Sequence, residues 1–219
     1  MGFVSTVTIG IDVGQRVDPT AIAVCQLEGD YFTVHYLERL PLGTAYPAVA
    51  KRVRVLFERT AKKVALELSQ PMLLALPDAL EEAGRRIWTF IDITGVGSPV
   101  CELLREGMGA EHITGVSFTY GDRCGVYPGS REGSLGKGFL VSRLQVLLQS
   151  RRIALPETSE ARALAEELLD YEIRVTDDAN ARYGAFKVGT HDDLVTALGL
   201  ATLFDADAYT IPVAYTVPR

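Results

Sequence analysis

The chain has 219 residues, of which 47% are hydrophobic and 23% charged, a composition typical of one globular domain with a substantial core. No apolar run approaches the roughly 20 residues needed to cross a membrane, and no basic region precedes an apolar core at the N-terminus, so a membrane or secreted protein is not expected. Three scattered cysteines predict neither a disulfide framework nor a Cys-x-x-Cys metal site, which favours the reducing cytoplasm.

The net charge of −6 argues against a nucleic-acid partner, but the charges are unevenly distributed. Residues 121–152 contain six basic and two acidic side chains, whereas residues 157–178 contain two basic and eight acidic ones. The acidic segment can therefore hide a basic surface when only the net charge of the chain is considered. Two solvated helix surfaces of opposite sign explain the same pattern equally well.

The first predicted elements form an antiparallel meander. "TVTIGIDVG" at 6–14 alternates, is rich in β-branched residues and ends in a glycine turn, which is typical of a strand. Residues 20–40 predict two more strands, joined at the hairpin turn 28–30. Apolar residues at helical spacing predict a helix over 45–63, and residues 64–70 are predicted to form a short strand.

Helices and strands alternate in the rest of the chain. Residues 121–138 hold six glycines and a proline and predict a long functional loop or a mobile hairpin. The other predicted elements are, in order, a helix beyond Pro77 within 72–86, a strand at 87–97, a helix at 98–107, a strand at 112–120, a helix and short strand at 138–156, a helix and strand at 159–175, a loop at 177–190 and a helix at 194–201. They predict one α/β domain over 1–219, with a core at about 6–204, a peripheral tail at 205–219 and a mixed sheet.

Three places in the chain put carboxylates where a buried site would need them. Asp12 and Asp92 each end an apolar strand before a glycine turn, and ligand sites gather at the carboxyl ends of strands in such sheets. Asp192 and Asp193 stand at the start of the last apolar helix, beside His191. Helix capping explains one acid there, and the second indicates a polar site that faces inward.

Converging carboxylates repel one another unless cations bind between them. Oxygen ligands suit Mg²⁺ or Mn²⁺. Two such ions can activate a water molecule and stabilise the leaving oxygen when a phosphodiester is hydrolysed. This hypothesis requires the three segments to meet in space.

The order of "IGIDVGQRVDPTAIAV", "FIDITGVGSPVCELLREG" and "GTHDDLVTALGLA" resembles the nuclease domain of phage large terminases, which belongs to the ribonuclease H-like superfamily. The stretch "LVSRLQVLLQSRRIALPETSEARALAEELLDYEI" is also similar to that family, so the resemblance covers about residues 7–204. It implies a ribonuclease H-like mixed β-sheet, a three-strand antiparallel meander followed by parallel strands, flanked by helices. It also implies an endonuclease that uses two divalent metal ions, Mg²⁺ or Mn²⁺, to cut concatemeric viral DNA during genome packaging.

The resemblance assigns roles to the four aspartates. Asp12 corresponds to the first-strand acid that bridges both metals, and Asp92 to the second acid, in "DITGVG". Asp193 matches the helix acid best and Asp192 is a close second. Adjacent helical positions differ by about 100° in direction, so both stay candidates.

Three further positions qualify this assignment. His191 is expected to position the start of the helix or to touch a phosphate. Glu67, in "VALEL", is either a competing second acid on a neighbouring strand or a plain surface residue. Thr196 stands where the family often has another acid. The absence of that acid would weaken one metal site.

The resemblance implies double-stranded DNA as the partner. Lys137, Arg123, Arg131 and Arg143 are expected to contact its phosphates without sequence preference, and the segment 121–138 is expected to gate the groove. A second candidate surface is the basic helix that carries Lys51, Arg52, Arg54 and Arg59.

Further partners implied are a terminase ATPase domain, a small terminase and a portal protein, in the cytoplasm of a bacterium that hosts a phage or prophage. The sequence contains no G-x-x-x-x-G-K-[ST] motif, because glycine follows the lysine in "GSLGKG", so no ATPase domain is expected within these residues.

Three alternative functions stay open. A junction resolvase of the same superfamily shares the acids but prefers branched DNA. "IGIDVGQ" also resembles the first phosphate loop of actin-like and sugar-kinase proteins, although those need two such domains and 219 residues are too few. A non-catalytic packaging module that docks on a portal would bind DNA without cutting it, as the threonine at position 196 suggests.

Overall fold

The computed structural model describes residues 5–14, 18–72, 75–110, 112–170, 172–175, 181–184 and 191–204. The strands are β1 (Thr6–Asp12), β2 (Ala21–Glu28), β3 (Tyr31–Arg39), β4 (Ile87–Asp92), β5 (Ile113–Thr119), β6 (Cys124–Gly125), β7 (Glu132–Gly136), β8 (Ile153–Ala154), β9 (Glu172–Val175) and β10 (Ala181–Gly184). The helices are α1 (Tyr46–Met72), α2 (Leu76–Gly84), α3 (Ser98–Met108), α4 (Lys137–Gln149), α5 (Ser159–Asp170) and α6 (Asp193–Ala201).

Eight strands form one mixed sheet in the order β6-β7-β5-β4-β1-β2-β3-β8, and β9 pairs with β10 apart from it. Strands β1, β2 and β3 are the antiparallel meander, and β4, β5 and β7 run parallel to β1. These features confirm the predicted fold class. Strands β1 and β4 are direct neighbours with Ile11 opposite Ile91, so the residues that follow, Asp12 and Asp92, reach the same edge of the sheet.

Helices cover both faces of the sheet. Helices α1, α2 and α3 pack on one face, against Val7, Ile9 and Ile11 of β1, whereas α4, α5 and α6 pack on the other. Since side chains alternate along a strand, Gly10 and Asp12 face α6. No helix in the described ranges combines the length and hydropathy that crossing a bilayer requires.

Helix α6 lies directly on β1 and runs in the opposite direction. All of its residues are buried. Near its end, the Thr8 hydroxyl donates a hydrogen bond to the Ala201 carbonyl oxygen. In the middle, a β-carbon on Gly10 would overlap the Ala197 carbonyl oxygen, so only glycine permits this approach. The beginning of α6 therefore lies at the end of β1, where Asp12 stands.

The predicted short strand at 64–70 is wrong, because α1 continues through these residues to Met72. Val64, Ala65 and Leu68 continue the helical spacing of the preceding turns. They are buried in the apolar cluster on the face of the sheet that α1 covers. Alanine, leucine and glutamate are also strong helix formers, and they dominate this stretch.

The glycine-rich segment 121–138 forms a hairpin rather than an open loop. Strand β6 pairs antiparallel with β7, and β7 joins the main sheet parallel to β5. The predicted loop at 177–190 is corrected at residues 181–184, which form β10 through pairing with β9. The rest of that loop and the predicted tail 205–219 lie outside the described residues.

Gly10→Ala is expected to destabilise the fold by about 1–3 kcal/mol, because the added methyl group forces α6 away from β1. Urea unfolding measures the free-energy difference. The matched control is Gly84→Ala at the end of α2, where nothing lies within 4 Å of an added β-carbon and where alanine should leave the stability unchanged or raise it. Equal stability of Gly10→Ala and the wild type would contradict this account of α6 packing.

Candidate active site

An open cleft lies where β1, β4 and α6 meet. Its cavity has a volume of about 370 Å³, which is enough for hydrated ions and a phosphate group. Asp12, Asp92, Asp192 and Asp193 all line it, so the three acidic segments do come together. Thr196, one turn into α6, also lines the cleft and is buried.

The two strand aspartates are held beside each other by strand pairing and a tight turn. Burial raises the pKa of the Asp12 carboxyl well above its usual range, and the charges of Asp92, Asp192 and Asp193 raise it further, whereas Lys137 lowers it. These three negative groups make ionisation of Asp12 less favourable.

Burial also raises the pKa of Asp92, although hydrogen bonds from Thr94 oppose the shift. The Thr94 backbone N–H donates to Asp92 Oδ1 at 2.7 Å. The turn that places this donor depends on glycine, since a β-carbon on Gly97 would overlap the Asp92 carbonyl oxygen. The glycine turn after Asp92 therefore fixes the orientation of its carboxylate.

Asp192 occupies the N-cap position of α6, but its side chain makes no capping hydrogen bond. Its Oδ2 lies 3.6 Å from Lys137 Nζ, and its charge acts on both Asp12 and Asp92. The capping explanation of Asp192 is therefore wrong for its side chain, which belongs to the cleft.

The Asp193 side chain is only 3% exposed and faces a different partner. Its Oδ2 accepts a hydrogen bond from Arg39 Nε at 2.7 Å. Its Oδ1 is buried without a hydrogen-bond partner among the described residues. Burial raises the pKa of Asp193, and the Arg39 guanidinium counteracts part of that shift.

Two of the predicted accessory residues lie at the cleft. Lys137, the first residue of α4, is the one basic side chain among the described residues that line it, and its Nζ also lies 5.5 Å from the centre of the Phe118 ring. His191 lies at the edge, with Nδ1 3.6 Å from Asp18 Oδ1 and 3.9 Å from Asp193 Oδ1.

The other predicted residues are not brought to the cleft wall. Glu67 is exposed on α1, which packs on the opposite face of the sheet from α6. Arg123 is exposed beside β6, and Arg131 pairs with an acid of α3 at 3.0 Å. Arg143 Nε donates to the Thr202 carbonyl oxygen at 2.7 Å, so this arginine holds the end of α6.

Sequence reasoning missed two residues that contact the site. Arg39, at the end of β3, pairs with both Asp193 and Glu167 of α5. Glu167 Oε2 also accepts the Val195 backbone N–H at 3.0 Å. Only helical phase could have marked Glu167, which stands three residues after the fully buried Leu164 and so lies on the inner face of α5.

Divalent cations fit the donor chemistry of this cleft. Carboxylate oxygens are the ligands that Mg²⁺ and Mn²⁺ prefer, and the buried, unpaired Asp193 Oδ1 is costly unless a positive group approaches it. Within the described ranges, no three His, Cys, Asp or Glu side chains already stand where they could hold one ion. A cation held by one or two of these carboxylates would complete its coordination with water, as Mg²⁺ usually does in proteins.

No protein-family model matches the sequence, and no curated protein matches it either. Solved structures match in fold. The large terminase nuclease of thermophilic phage G20c with bound magnesium has a TM-score of 0.58 at 23% identity, over 90% of this chain and 80% of that chain. The same nuclease with bound cobalt gives 0.56 at 22% identity, over 90% of this chain and 80% of that chain. The large terminase nuclease domain of Thermus phage P74-26 gives 0.54 at 20% identity, over 90% and 78%.

The chain has the fold of a large terminase nuclease domain. This similarity confirms the ribonuclease H-like architecture that the three sequence motifs implied. In this terminase-nuclease fold, the acidic cleft lies at the carboxyl ends of the central parallel strands, the edge at which ligand sites of such sheets occur.

Asp12→Asn is expected to stabilise the metal-free protein at neutral pH. Because the pKa of Asp12 is raised by folding, the folded state binds more protons than the unfolded chain, and stability falls as the pH rises above about 4. Asparagine removes that loss, so the variant should be more stable than the wild type at pH about 7.5, and the difference should disappear at pH about 4. Urea unfolding in EDTA measures both values.

The control for this experiment is Asp78→Asn, an exposed aspartate of α2 outside the cleft. Its unfolding free energy should follow that of the wild type at both pH values. A gain for Asp12→Asn that does not depend on pH would contradict the assignment to a raised pKa.

Proposed function

We propose that the chain is a divalent-metal-dependent endonuclease that cuts double-stranded DNA, of the kind that cleaves concatemeric viral DNA during genome packaging. The observation that carries the proposal is the convergence of Asp12, Asp92, Asp192 and Asp193 at one open cleft of a terminase-nuclease fold. The magnesium and cobalt bound in the G20c nuclease support a divalent cofactor.

Each carboxylate has a place in this proposal. The charges of all three other aspartates act on Asp12, so Asp12 would hold cations together with each of them. Asp92 would hold a cation from the β4 side, and Asp192 and Asp193 would hold one from the α6 side. When bound, two cations supply a water that loses its proton near neutral pH and neutralise the leaving oxygen.

Lys137 contributes a contact for the substrate. Its ammonium group lies in the cleft beside Asp192, where a backbone phosphate of DNA must approach the acids. It offsets part of the repulsion between the phosphate and the carboxylates. Arg123 and Arg131, at the β6–β7 hairpin, extend the phosphate contacts along the DNA in this proposal.

The proposed partners follow from the same function. A nuclease that cuts packaged viral DNA works with a terminase ATPase domain, a small terminase and a portal protein, in the cytoplasm of the infected bacterium. The observation on this chain that supports the proposal is again the acidic cleft on the shared fold.

The native chain is expected to cut supercoiled plasmid DNA in Mn²⁺ or Mg²⁺ and to be inactive in EDTA. Asp12→Asn and Asp92→Asn should each lower the cleavage rate by about 1000-fold or more, because each removes a carboxylate that no other residue replaces. Gel electrophoresis of the products over time gives the rate. Asp192→Asn and Asp193→Asn, compared side by side, identify the α6 carboxylate on which cleavage depends more.

Asp78→Asn is the matched control and should cut at the wild-type rate. Linear duplex and four-way junction DNA are compared in the same assay, and a preference for the junction would favour a resolvase. Absence of cutting by the folded native chain with any of the metals would refute the enzyme and leave a DNA-binding packaging module.

Lys137→Gln is expected to weaken DNA binding in Ca²⁺ and to lower the salt dependence of the affinity by about one phosphate contact, because one cation that faces the DNA is lost. Fluorescence anisotropy of a labelled duplex at several salt concentrations measures both quantities. Lys62→Gln, an exposed lysine of α1 on the opposite face of the sheet, is the control. An unchanged salt slope for Lys137→Gln would exclude the phosphate contact.

A further inference from the structure

We propose that Glu167 and Arg39 are positioning residues that keep Asp193 charged and oriented, with its Oδ1 available to a divalent cation in the cleft. The proposal rests on the proposed function, because it assigns the unpaired oxygen of Asp193 to that cation. Neither Glu167 nor Arg39 lines the cleft, so both act through Asp193 and α6.

The first step concerns the beginning of α6. The first N–H groups of a helix need acceptors from outside the helix, and an aspartate at the N-cap normally supplies one. Asp192 does not do so. Instead Glu167, 28 positions earlier in the chain, accepts the Val195 N–H at 3.0 Å. A distant residue thus caps α6, and both aspartates remain available to the cleft.

The second step concerns charge. Arg39 alone beside Asp193 would neutralise it and make it a poor ligand for a cation. Glu167, whose side chain is only 5% exposed, pairs with the same guanidinium. The group of Arg39, Asp193 and Glu167 therefore carries one net negative charge. Because the surroundings are buried, that charge acts strongly on a cation nearby.

The third step concerns orientation. Arg39 Nε holds Asp193 Oδ2 at 2.7 Å, which leaves Oδ1 without a hydrogen-bond partner among the described residues, with His191 Nδ1 3.9 Å away. The planar guanidinium contacts two carboxylates at once, through Nε and through its terminal nitrogen. A network that served stability alone would not leave a buried carboxylate oxygen unpaired beside three other acids.

Glu167→Gln tests the proposal because glutamine still offers an oxygen to the Val195 N–H but lacks the negative charge. Arg39 and Asp193 then form a neutral pair. Titration of the full chain with Mn²⁺ by isothermal titration calorimetry is expected to give an affinity about tenfold or more below that of the wild type. The melting temperature in EDTA should fall, because the glutamine NH2 group faces the Arg39 guanidinium, and cooperative unfolding in EDTA checks that the variant keeps its fold.

The chain offers a closely matched control in Glu38→Gln. Glu38 lies on β3 beside Arg39, and its Oε2 pairs with Arg52 Nε at 2.8 Å, outside the cleft. This substitution also removes one acid from an Arg–Glu pair, and it should leave the Mn²⁺ affinity unchanged.

The double variant Arg39→Gln with Glu167→Gln separates charge from structure. It removes one positive and one negative group, so the group regains the net negative charge that Glu167→Gln lacks, and Mn²⁺ should bind more tightly than to Glu167→Gln. A purely structural network predicts the weakest binding for the double variant. Should Glu167→Gln not fold, Arg39→Lys replaces it, since lysine keeps the charge but cannot hold both carboxylates and should weaken Mn²⁺ binding about tenfold.

The outcomes distinguish this proposal from the proposed function. If Glu167→Gln and Arg39→Lys bind Mn²⁺ as tightly as the wild type while Asp12→Asn loses binding, the positioning role is overturned and the metal-dependent nuclease stands. If the folded wild type binds no Mn²⁺, both are overturned. Weakened binding by Glu167→Gln, with Glu38→Gln unchanged and partial recovery in the double variant, supports the positioning role.

Discussion

Electrostatic repulsion among the cleft aspartates is the constraint on which the rest of this structure depends. Four carboxylates at one edge of a sheet would separate if their backbones were free to move. Pairing of β1 with β4 prevents this for the two strand acids, and the buried α6 prevents it for the other two. Large apolar clusters on both faces of the sheet supply the opposing free energy. The cleft is therefore stable because β1, β4 and α6, which carry the aspartates, are packed into these apolar clusters.

Two basic side chains reduce the repulsion among the aspartates, and they approach the cleft from different sides. Lys137 enters from α4 and acts on Asp12 and Asp92 in the open part of the cleft. Arg39 enters from β3 and binds Asp193 in the buried part. Lys137 is available to an incoming anion, whereas Arg39 is already shared between two acids. Lys137 is thus placed to bind an anion at the cleft, whereas Arg39 holds Asp193 in position.

Much of the fold and the four acids could be predicted from local sequence patterns. Strand alternation and a following glycine turn marked Asp12 and Asp92, and the apolar helix after Asp192 and Asp193 marked the third segment. The strand predicted at 64–70 failed because short apolar runs fit either element, and only packing on the preceding helix decides between them.

Arg39 and Glu167 could not be predicted, because neither has a local signal of function. Arg39 ends strand β3 and Glu167 lies within helix α5, and both elements have an ordinary amphipathic pattern. The contact between the two residues depends on how β3, α5 and α6 pack. The choice between Asp192 and Asp193 was open for a related reason. Sequence gives their relative rotation, but the partner of each side chain comes from elements far away in the chain.

The docking of α6 on β1 also has a consequence for the order of events during synthesis. The hydrogen bond from Thr8 to Ala201 joins residues 193 positions apart, and contacts of such separation close late because a long loop must first be ordered. A nascent chain that has emerged only as far as α5 holds the acids of β1 and β4 but lacks those of α6. The cleft is therefore complete only after α6 has docked on β1, and a fragment that stops at α5 lacks two of its four acids.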